Sequence, residues 1–268
     1  RTNHYYFDLN RDWSWQTQVE TKQRTVAYLR WNPVVHVDFH EMGGDSYFFF
    51  PAATPVHGSI PDVVMKWQEI YGQGNAEAFD AFGWPYYTEI GFDMYYPGFG
   101  DSWPSMMGAI GMTYEQGGGS SVGIAVERED GTTHTLRQRA HGHFTTSMAT
   151  LKTTAEHRQE RLADFLAFFR HALSLGDGEV KSYVFIPGED PFNADQLADL
   201  LTRQGMEVSV ATEPFEARIA RDFGLHEGPS SRTFPAGTYV VPAGQPKGVA
   251  VQMLMEPEPM LEDTSFYD

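Results

Sequence analysis

Residues 34–41, VVHVDFHE, decide the fold that this sequence predicts. The run is rich in β-branched residues and predicts a buried strand. Because side chains alternate along a strand, His36, Asp38 and His40 fall on one face. The two glycines at 43–44 end the strand.

Helices are predicted on both sides of this strand. Residues 14–31 favour a helix in which Glu20 and Arg24 stand four apart, as in an ion pair along one helix face. Residues 61–82 carry apolar side chains at helical spacing. Residues 84–107 are rich in Tyr, Trp, Gly and Pro without a clear period, and they predict a long ordered loop over a site.

A second buried strand is predicted at residues 109–114. It delivers Glu115 at its carboxyl end, which is where ligands collect in open α/β sheets. A long helix is then predicted from about residue 145 to residue 176, closing a first domain of residues 1–176. We expect it to pack against the sheet through an apolar stripe of Met148, Leu151, Ala155, Leu162, Phe165, Leu166, Phe169 and Leu173.

Residues 177–268 predict a second, smaller α/β domain that is incomplete. Its predicted elements are, in order, strand 180–187, helix 193–204, strand 207–212, strand 237–242 and helix 247–255. The first three form a β-α-β unit. The fold class is therefore α/β, with a mixed sheet flanked by helices and followed by the smaller domain.

The amino-acid composition excludes several classes of function. The 268 residues include 41% hydrophobic and 14% aromatic residues, which indicates a packed core. The net charge of -17 argues against nucleic acid as a partner, although a local arginine or metal can still bind an anionic group. The lack of cysteine excludes thiol catalysis, disulfides and cysteine-ligated metal. No apolar run approaches the roughly 20 residues that span a bilayer.

The run DLNRDW at residues 8–13 places Asn10 beside Arg11. A guanidinium offers a planar fork that matches a carboxylate, and a side-chain amide adds one more donor. The pair therefore predicts an anion clamp. The alternatives are a solvated loop or a salt bridge.

His40 and Glu115 are the candidates for chemistry at the strand ends. His40 is a candidate metal ligand, and Asp38 on the same face could orient its ring. The alternatives are a core histidine, or a metal site made by His36, Asp38 and His40 together. Glu115 is a candidate general base because burial would raise its pKa toward neutrality. The alternatives for Glu115 are hydrogen bonds to backbone amides or a surface salt bridge.

Other polar groups are less specific. Tyr95 and Tyr96 lie in the predicted loop and could offer a mobile phenol to a substrate, although packing explains either one. His141 and His143 precede the predicted long helix, where a solvated helix start explains them equally well. The glycines at 117–119 lack the Lys and Ser/Thr of a phosphate loop and predict a flexible turn.

Three motifs in order, DLNRDW, VDFHE and GAIGMTYEQ, resemble the M14 family of zinc carboxypeptidases. The resemblance covers residues 1–175. Residues 180–268 are similar, more weakly, to the class I glutamine amidotransferase-like region that follows the M14 domain in large bacterial members. The resemblance implies a zinc-dependent hydrolase acting on peptides or small acyl amino acids, and it favours a secreted or periplasmic location.

The resemblance also implies residue roles. Asn10 and Arg11 would bind the terminal carboxylate of the substrate, and Tyr95 would be the loop tyrosine. His40 would be the third zinc ligand. Glu115 would be the general base that deprotonates the attacking water and passes the proton to the leaving amine.

The sequence departs from the family pattern before the clamp. The family's first two zinc ligands come from an upstream His-x-x-Glu motif, and no such motif precedes residue 10 here. The family's carbonyl-polarising arginine also lies upstream, and no residue here corresponds to it. The motif occurs once, at His157 and Glu160, on a charged helix face far from His40, and we reject it. The expectation is a fragment of a longer metallocarboxypeptidase that is inactive alone. The alternatives are a non-catalytic carboxylate-binding relative and an amidohydrolase acting on acyl amino acids.

Overall fold

A computed structural model describes residues 2–44, 46–118, 123–128, 130–223 and 228–258. Its helices and strands confirm the α/β class. In chain order the elements are α1 (Val19–Trp31), β1 (Val35–Met42), β2 (Tyr47–Phe49), β3 (Ala53–Val56), α2 (Asp62–Asp80), β4 (Tyr86–Tyr87), β5 (Asp93–Met94), α3 (Ser102–Met106), β6 (Ile110–Gly117), β7 (Ala125–Glu127), β8 (Thr133–Thr135), α4 (Leu136–Glu156), α5 (Arg158–Ser174), β9 (Ser182–Phe185), α6 (Phe192–Arg203), β10 (Ser209–Val210), β11 (Phe215–Ala220), β12 (Ser230–Phe234), β13 (Tyr239–Pro242) and α7 (Gly248–Met255).

The chain forms two compact units. The split unit consists of the described residues within Arg1–Asn32 and Leu166–Met260. The sheet unit consists of the described residues within Pro33–Phe165. The boundary at residue 176 between the two predicted domains stays a prediction.

The sheet unit is built on a mixed sheet with the strand order β1-β6-β2-β4. β1 and β6 are parallel, β6 and β2 are antiparallel, and β2 and β4 are parallel. Both β1 and β6 were predicted from their apolar runs, and the structure confirms them. β1 is shifted by one residue from its predicted range, and β6 extends three residues further than predicted, so Glu115 lies inside β6 rather than just after it.

One face of this sheet packs against helices through aromatic and small side chains. Tyr114 of β6 is buried, and its hydroxyl lies 2.8 Å from the hydroxyl of Thr150 in α4. An added methyl group at Gly142 of α4 would overlap the side-chain oxygen of Gln116 in β6. α4 therefore approaches the sheet closely along its small residues.

The predicted long helix differs from the structure in two respects. It is two helices, α4 and α5, and α4 begins at Leu136, behind a capping box made by Thr135 and Gln138. The predicted apolar stripe is wrong in part, because several members are exposed: Met148, Leu151, Leu162, Leu166 and Leu173. The buried face of α4 consists instead of glycine, alanine, arginine and threonine residues, whose small members allow the close approach to the sheet.

The predicted long loop of residues 84–107 contains short elements. They are β4, β5 and α3. Two-residue strands and a five-residue helix are too short to show a period in sequence, which is why the stretch looked irregular.

The split unit contains the predicted β-α-β segment. β9, α6 and β10 follow one another, and β13 pairs antiparallel with both strands to give the order β10-β13-β9. Helix α7 was also predicted. The hairpin of β11 and β12 was not. Among the described residues, no helix is both long enough and apolar enough to cross a membrane.

Candidate functional site

The pairing of β1 with β6 brings two predicted site residues side by side. In the parallel register His40 is opposite Glu115, and Asp38 is opposite Thr113. Residues at one register of neighbouring strands project from the same face, and the strands lie about 4.8 Å apart. His40, Asp38 and Glu115 therefore share one face of the sheet near the carboxyl ends of two parallel strands.

Asp38 holds the ring of His40. The distance from His40 Nε2 to Asp38 Oδ2 is 2.7 Å, and the His40 side chain is 12% exposed. Since a carboxylate accepts, the proton of a neutral ring lies on Nε2 and the lone pair on Nδ1. A carboxylate on one ring nitrogen is the usual partner of a metal-binding histidine. The contact agrees with the predicted orientation of His40 by Asp38.

Glu115 is buried, with 2% of its surface exposed. The row across the four strands reads His40, Glu115, Phe48 and Tyr87, so an apolar ring lies on the other side of the carboxylate. Burial raises the pKa of Tyr87, and the negative charge of Glu115 raises it further. The burial agrees with the predicted partial desolvation of Glu115, and its role as a general base stays a prediction.

Asp101 is a buried carboxyl group below the same face. It accepts hydrogen bonds from the Ser102 amide at 2.6 Å and from the Thr113 hydroxyl at 2.7 Å. Burial raises its pKa to about 6, and the charge of Asp38 contributes to the rise. Sequence reasoning missed this residue. The available indication was an aspartate followed by Pro104 in the first turn of a helix, which is a typical start pattern.

Two tyrosines of the predicted loop pack against other rings. The Tyr95 ring stacks on His57 with the centroids 5.5 Å apart, and Tyr96 packs edge-on against Phe99 at 5.1 Å. The role of Tyr95 toward a substrate stays a prediction. Tyr87 was not considered from the sequence, yet it lies in the same row as Glu115, and its hydroxyl contacts the Met42 sulfur at 3.0 Å.

His143 connects two strands from the opposite face. Its Nε2 lies 3.0 Å from the carbonyl oxygen of His40, and its Nδ1 lies 2.6 Å from the hydroxyl of Tyr47. Burial lowers the pKa of His143. The interpretation as a solvated histidine at a helix start is therefore wrong for His143, which lies within α4 and is half-buried.

Asn10 and Arg11 belong to the split unit, whereas His40, Glu115 and Tyr95 belong to the sheet unit. Asn10 and Arg11 lie in a 3₁₀ turn, Leu9–Arg11, where the Asp8 side chain accepts from the Asn10 amide at 2.9 Å. The Arg11 side chain is 51% exposed, and its Nη1 is 3.8 Å from Asp8 Oδ2. A neighbouring carboxylate thus competes for the guanidinium that was predicted to clamp an anion.

The described residues lack the ligand set that a catalytic zinc ion needs. A catalytic zinc takes three protein ligands, and no cluster of three or more His, Asp and Glu suited to a metal occurs in the described ranges. His157 Nδ1 lies 3.7 Å from Glu160 Oε2, but Lys66 also pairs with Glu160 at 2.8 Å, as expected of a surface ion cluster. The described residues therefore supply one candidate histidine and one candidate base, which do not complete a zinc site.

No protein-family model, curated protein or solved structure matches this chain. The likeness to zinc carboxypeptidases therefore depends on the three sequence motifs alone.

Proposed function

We propose that this chain carries the histidine and general-base part of a hydrolytic site of the zinc carboxypeptidase type, acting on peptides or small acyl amino acids. The observation that carries the proposal is the shared register of His40 and Glu115 on neighbouring parallel strands. The contact between Asp38 and His40 supports it, because it leaves the lone pair of the neutral ring on Nδ1.

Glu115 is suited to a general base. Its carboxylate is buried and has Phe48 on the neighbouring strand, so little bulk water solvates the charged form. In the proposed reaction Glu115 takes a proton from the water that attacks the scissile carbonyl, and returns it to the leaving amine. The proton that Glu115 accepts in the first step is thus the proton that it gives up in the second.

His40 is the proposed metal ligand. Zinc, when bound, would supply a positive charge that activates water and polarises the carbonyl. The described residues do not complete the ligand set of such an ion. The proposed substrate contacts of Asn10, Arg11 and Tyr95 follow from the sequence resemblance, and the proposal does not depend on their geometry.

The first test uses the full natural polypeptide that contains this sequence. Zinc content and the release of C-terminal amino acids from peptides and from N-acyl amino acids are measured for Glu115→Gln. We expect kcat to fall by about a hundred- to ten-thousandfold with unchanged zinc. Glu77→Gln is the control, since Glu77 is exposed on α2, and it should stay within about twofold.

The outcomes separate the alternatives. An unchanged kcat for Glu115→Gln would remove this residue from the mechanism. Full zinc without hydrolysis of either substrate class would favour the non-catalytic, carboxylate-binding alternative. Hydrolysis of N-acyl amino acids but not of peptides would favour the amidohydrolase.

The second test concerns the metal ligand. His40→Gln should lower the zinc content of the natural polypeptide, whereas His36→Gln, a matched change on the same face of β1, should not. Equal losses would contradict the specific role of His40. Tight, stoichiometric zinc binding by the 268-residue chain itself would point instead to a site made by His36, Asp38 and His40.

A further inference from the structure

His143 makes two hydrogen bonds whose directions can be assigned. The carbonyl oxygen of His40 can only accept, so Nε2 of His143 carries the proton that it donates across 3.0 Å. In a neutral ring Nδ1 must then accept, and the hydroxyl of Tyr47, 2.6 Å away, donates to it. The hydroxyl of Thr146 lies 2.9 Å from that of Tyr47 and 3.1 Å from the carbonyl oxygen of His143. The chain of bonds thus runs from Tyr47 of β2 through His143 of α4 to the end of β1.

We propose that His143 is a positioning residue, which fixes the backbone of His40 and thereby the place of the His40 ring beside Glu115. The inference depends on the proposed function only in treating His40 and Glu115 as the working pair. His143 itself touches neither substrate nor ring of His40 in this arrangement, because it approaches from the other face of the sheet.

The position of β1 explains why such a contact is needed. In the described part of the chain β1 forms one edge of the sheet, so β6 is the only strand that holds it. The hydrogen bond from His143 adds a second attachment at the residue whose ring must face Glu115. A displacement of the His40 backbone would also disturb the 2.7 Å contact between its ring and Asp38.

The packing of α4 sets the distance that the His143 side chain must bridge between the helix and the sheet. Gly142 precedes His143, and an added methyl group there would overlap the Gln116 side chain and come within 3.3 Å of the Tyr47 ring. α4 therefore packs closely on the sheet at this position. At this separation an imidazole spans the gap between the helix and both strands.

The first experiment is made on the wild-type protein, and a substitution serves only to assign its signals. Long-range proton–nitrogen spectra of the histidine rings, assigned with His143→Gln, report which nitrogen of His143 carries the proton. The proposal requires the Nε2–H form. Finding the Nδ1–H form would overturn it, since an unprotonated Nε2 cannot donate to the carbonyl of His40.

The second experiment compares two amide replacements. In His143→Gln the amide nitrogen reaches the place of Nε2 and keeps the bond to His40. In His143→Asn the shorter side chain keeps only the group near Tyr47. The readouts are the ring signals of His40 and the exchange of the amides at the end of β1. We expect exchange roughly fivefold faster in His143→Asn and nearly unchanged in His143→Gln.

A purely structural role predicts a different order. If His143 served only to dock α4 on β2, Tyr47→Phe and His143→Gln would be the damaging changes, and His143→Asn would be mild. That order, or unchanged His40 signals in His143→Asn, would overturn the proposal. These measurements do not require hydrolysis. The proposal for His143 can therefore be tested even if the proposed function is wrong.

Discussion

Replacing Asp101 with asparagine should remove a pH-dependent loss of stability from the sheet unit. The folded-state pKa of Asp101 is raised by burial to about 6, against 3.8 for the ordinary group. The folded protein thus binds this proton more tightly than the unfolded chain does. The stabilising contribution is fully present below about pH 4 and is lost as the pH rises through 6. At 1.36 kcal/mol for each pH unit between the two pKa values, the loss is about 3 kcal/mol.

Asparagine is suited to this test because it is neutral at every pH and close to aspartic acid in shape. Its oxygen can still accept from the Ser102 amide. Native-state hydrogen exchange of the β6 amides at pH 4, 5, 6 and 7 gives the free energy of unfolding of the sheet unit. Relative to wild type, Asp101→Asn should gain somewhat more than about 2 kcal/mol from pH 4 to pH 7, because pH 4 lies near the ordinary pKa and part of the full loss falls below it.

Thr113→Val provides the control. The Thr113 hydroxyl donates to Asp101 and lowers its pKa, so its removal should raise that pKa further and move the loss of stability to higher pH. A difference between Asp101→Asn and wild type that stays constant from pH 4 to pH 7 would refute the reasoning.

Three further predictions concern packing and binding. Gly111→Ala should lower the free energy of unfolding by about 2 kcal/mol in urea titrations, because the added methyl group would overlap the Asp101 carbonyl. Gly188→Ala has open space and should change it by less than about 0.5 kcal/mol; equal effects would contradict this. Asp12→Ala should cost about 3 kcal/mol and weaken exchange protection in α1, because the buried carboxylate accepts three hydrogen bonds; unchanged protection would contradict it. Arg11→Lys should raise KM for free-carboxylate peptides more than for amidated ones, and equal effects would argue against a carboxylate clamp.

The parts of the fold that could be predicted are those with long hydrophobic patterns. β1, β6 and α2 each extend over eight residues or more and were found close to their actual limits. The start of α4 was missed because residues 136–144 show no apolar stripe, although the capping box of Thr135 and Gln138 marks it. The buried face of α4 is formed mainly by threonines and small residues, so hydrophobicity alone selected the wrong side.

The candidate site was predictable residue by residue but not as an arrangement. His40, Asp38 and Glu115 could be selected from their residue types at strand ends. Their adjacency could not, since the pairing of two strands so distant in sequence is decided by tertiary packing. Asp101 and Tyr87 were missed because they lie in a stretch whose elements are too short to show a period.

The packing on the two faces of β6 is what makes the pairing of His40 with Glu115 specific. On one face Gly111 lets α3 approach until Asp101 meets Thr113, and on the other face Tyr114 is fixed by α4. These contacts fix which face of the sheet each side chain of β6 occupies. If β1 slipped by one residue along β6, its side chains would exchange faces, and Phe39 or Glu41 would stand beside Glu115 in place of His40. The bond from His143 to the carbonyl of His40 acts against that slip, because it ties one particular residue of β1 to a helix whose position is already set by the sheet.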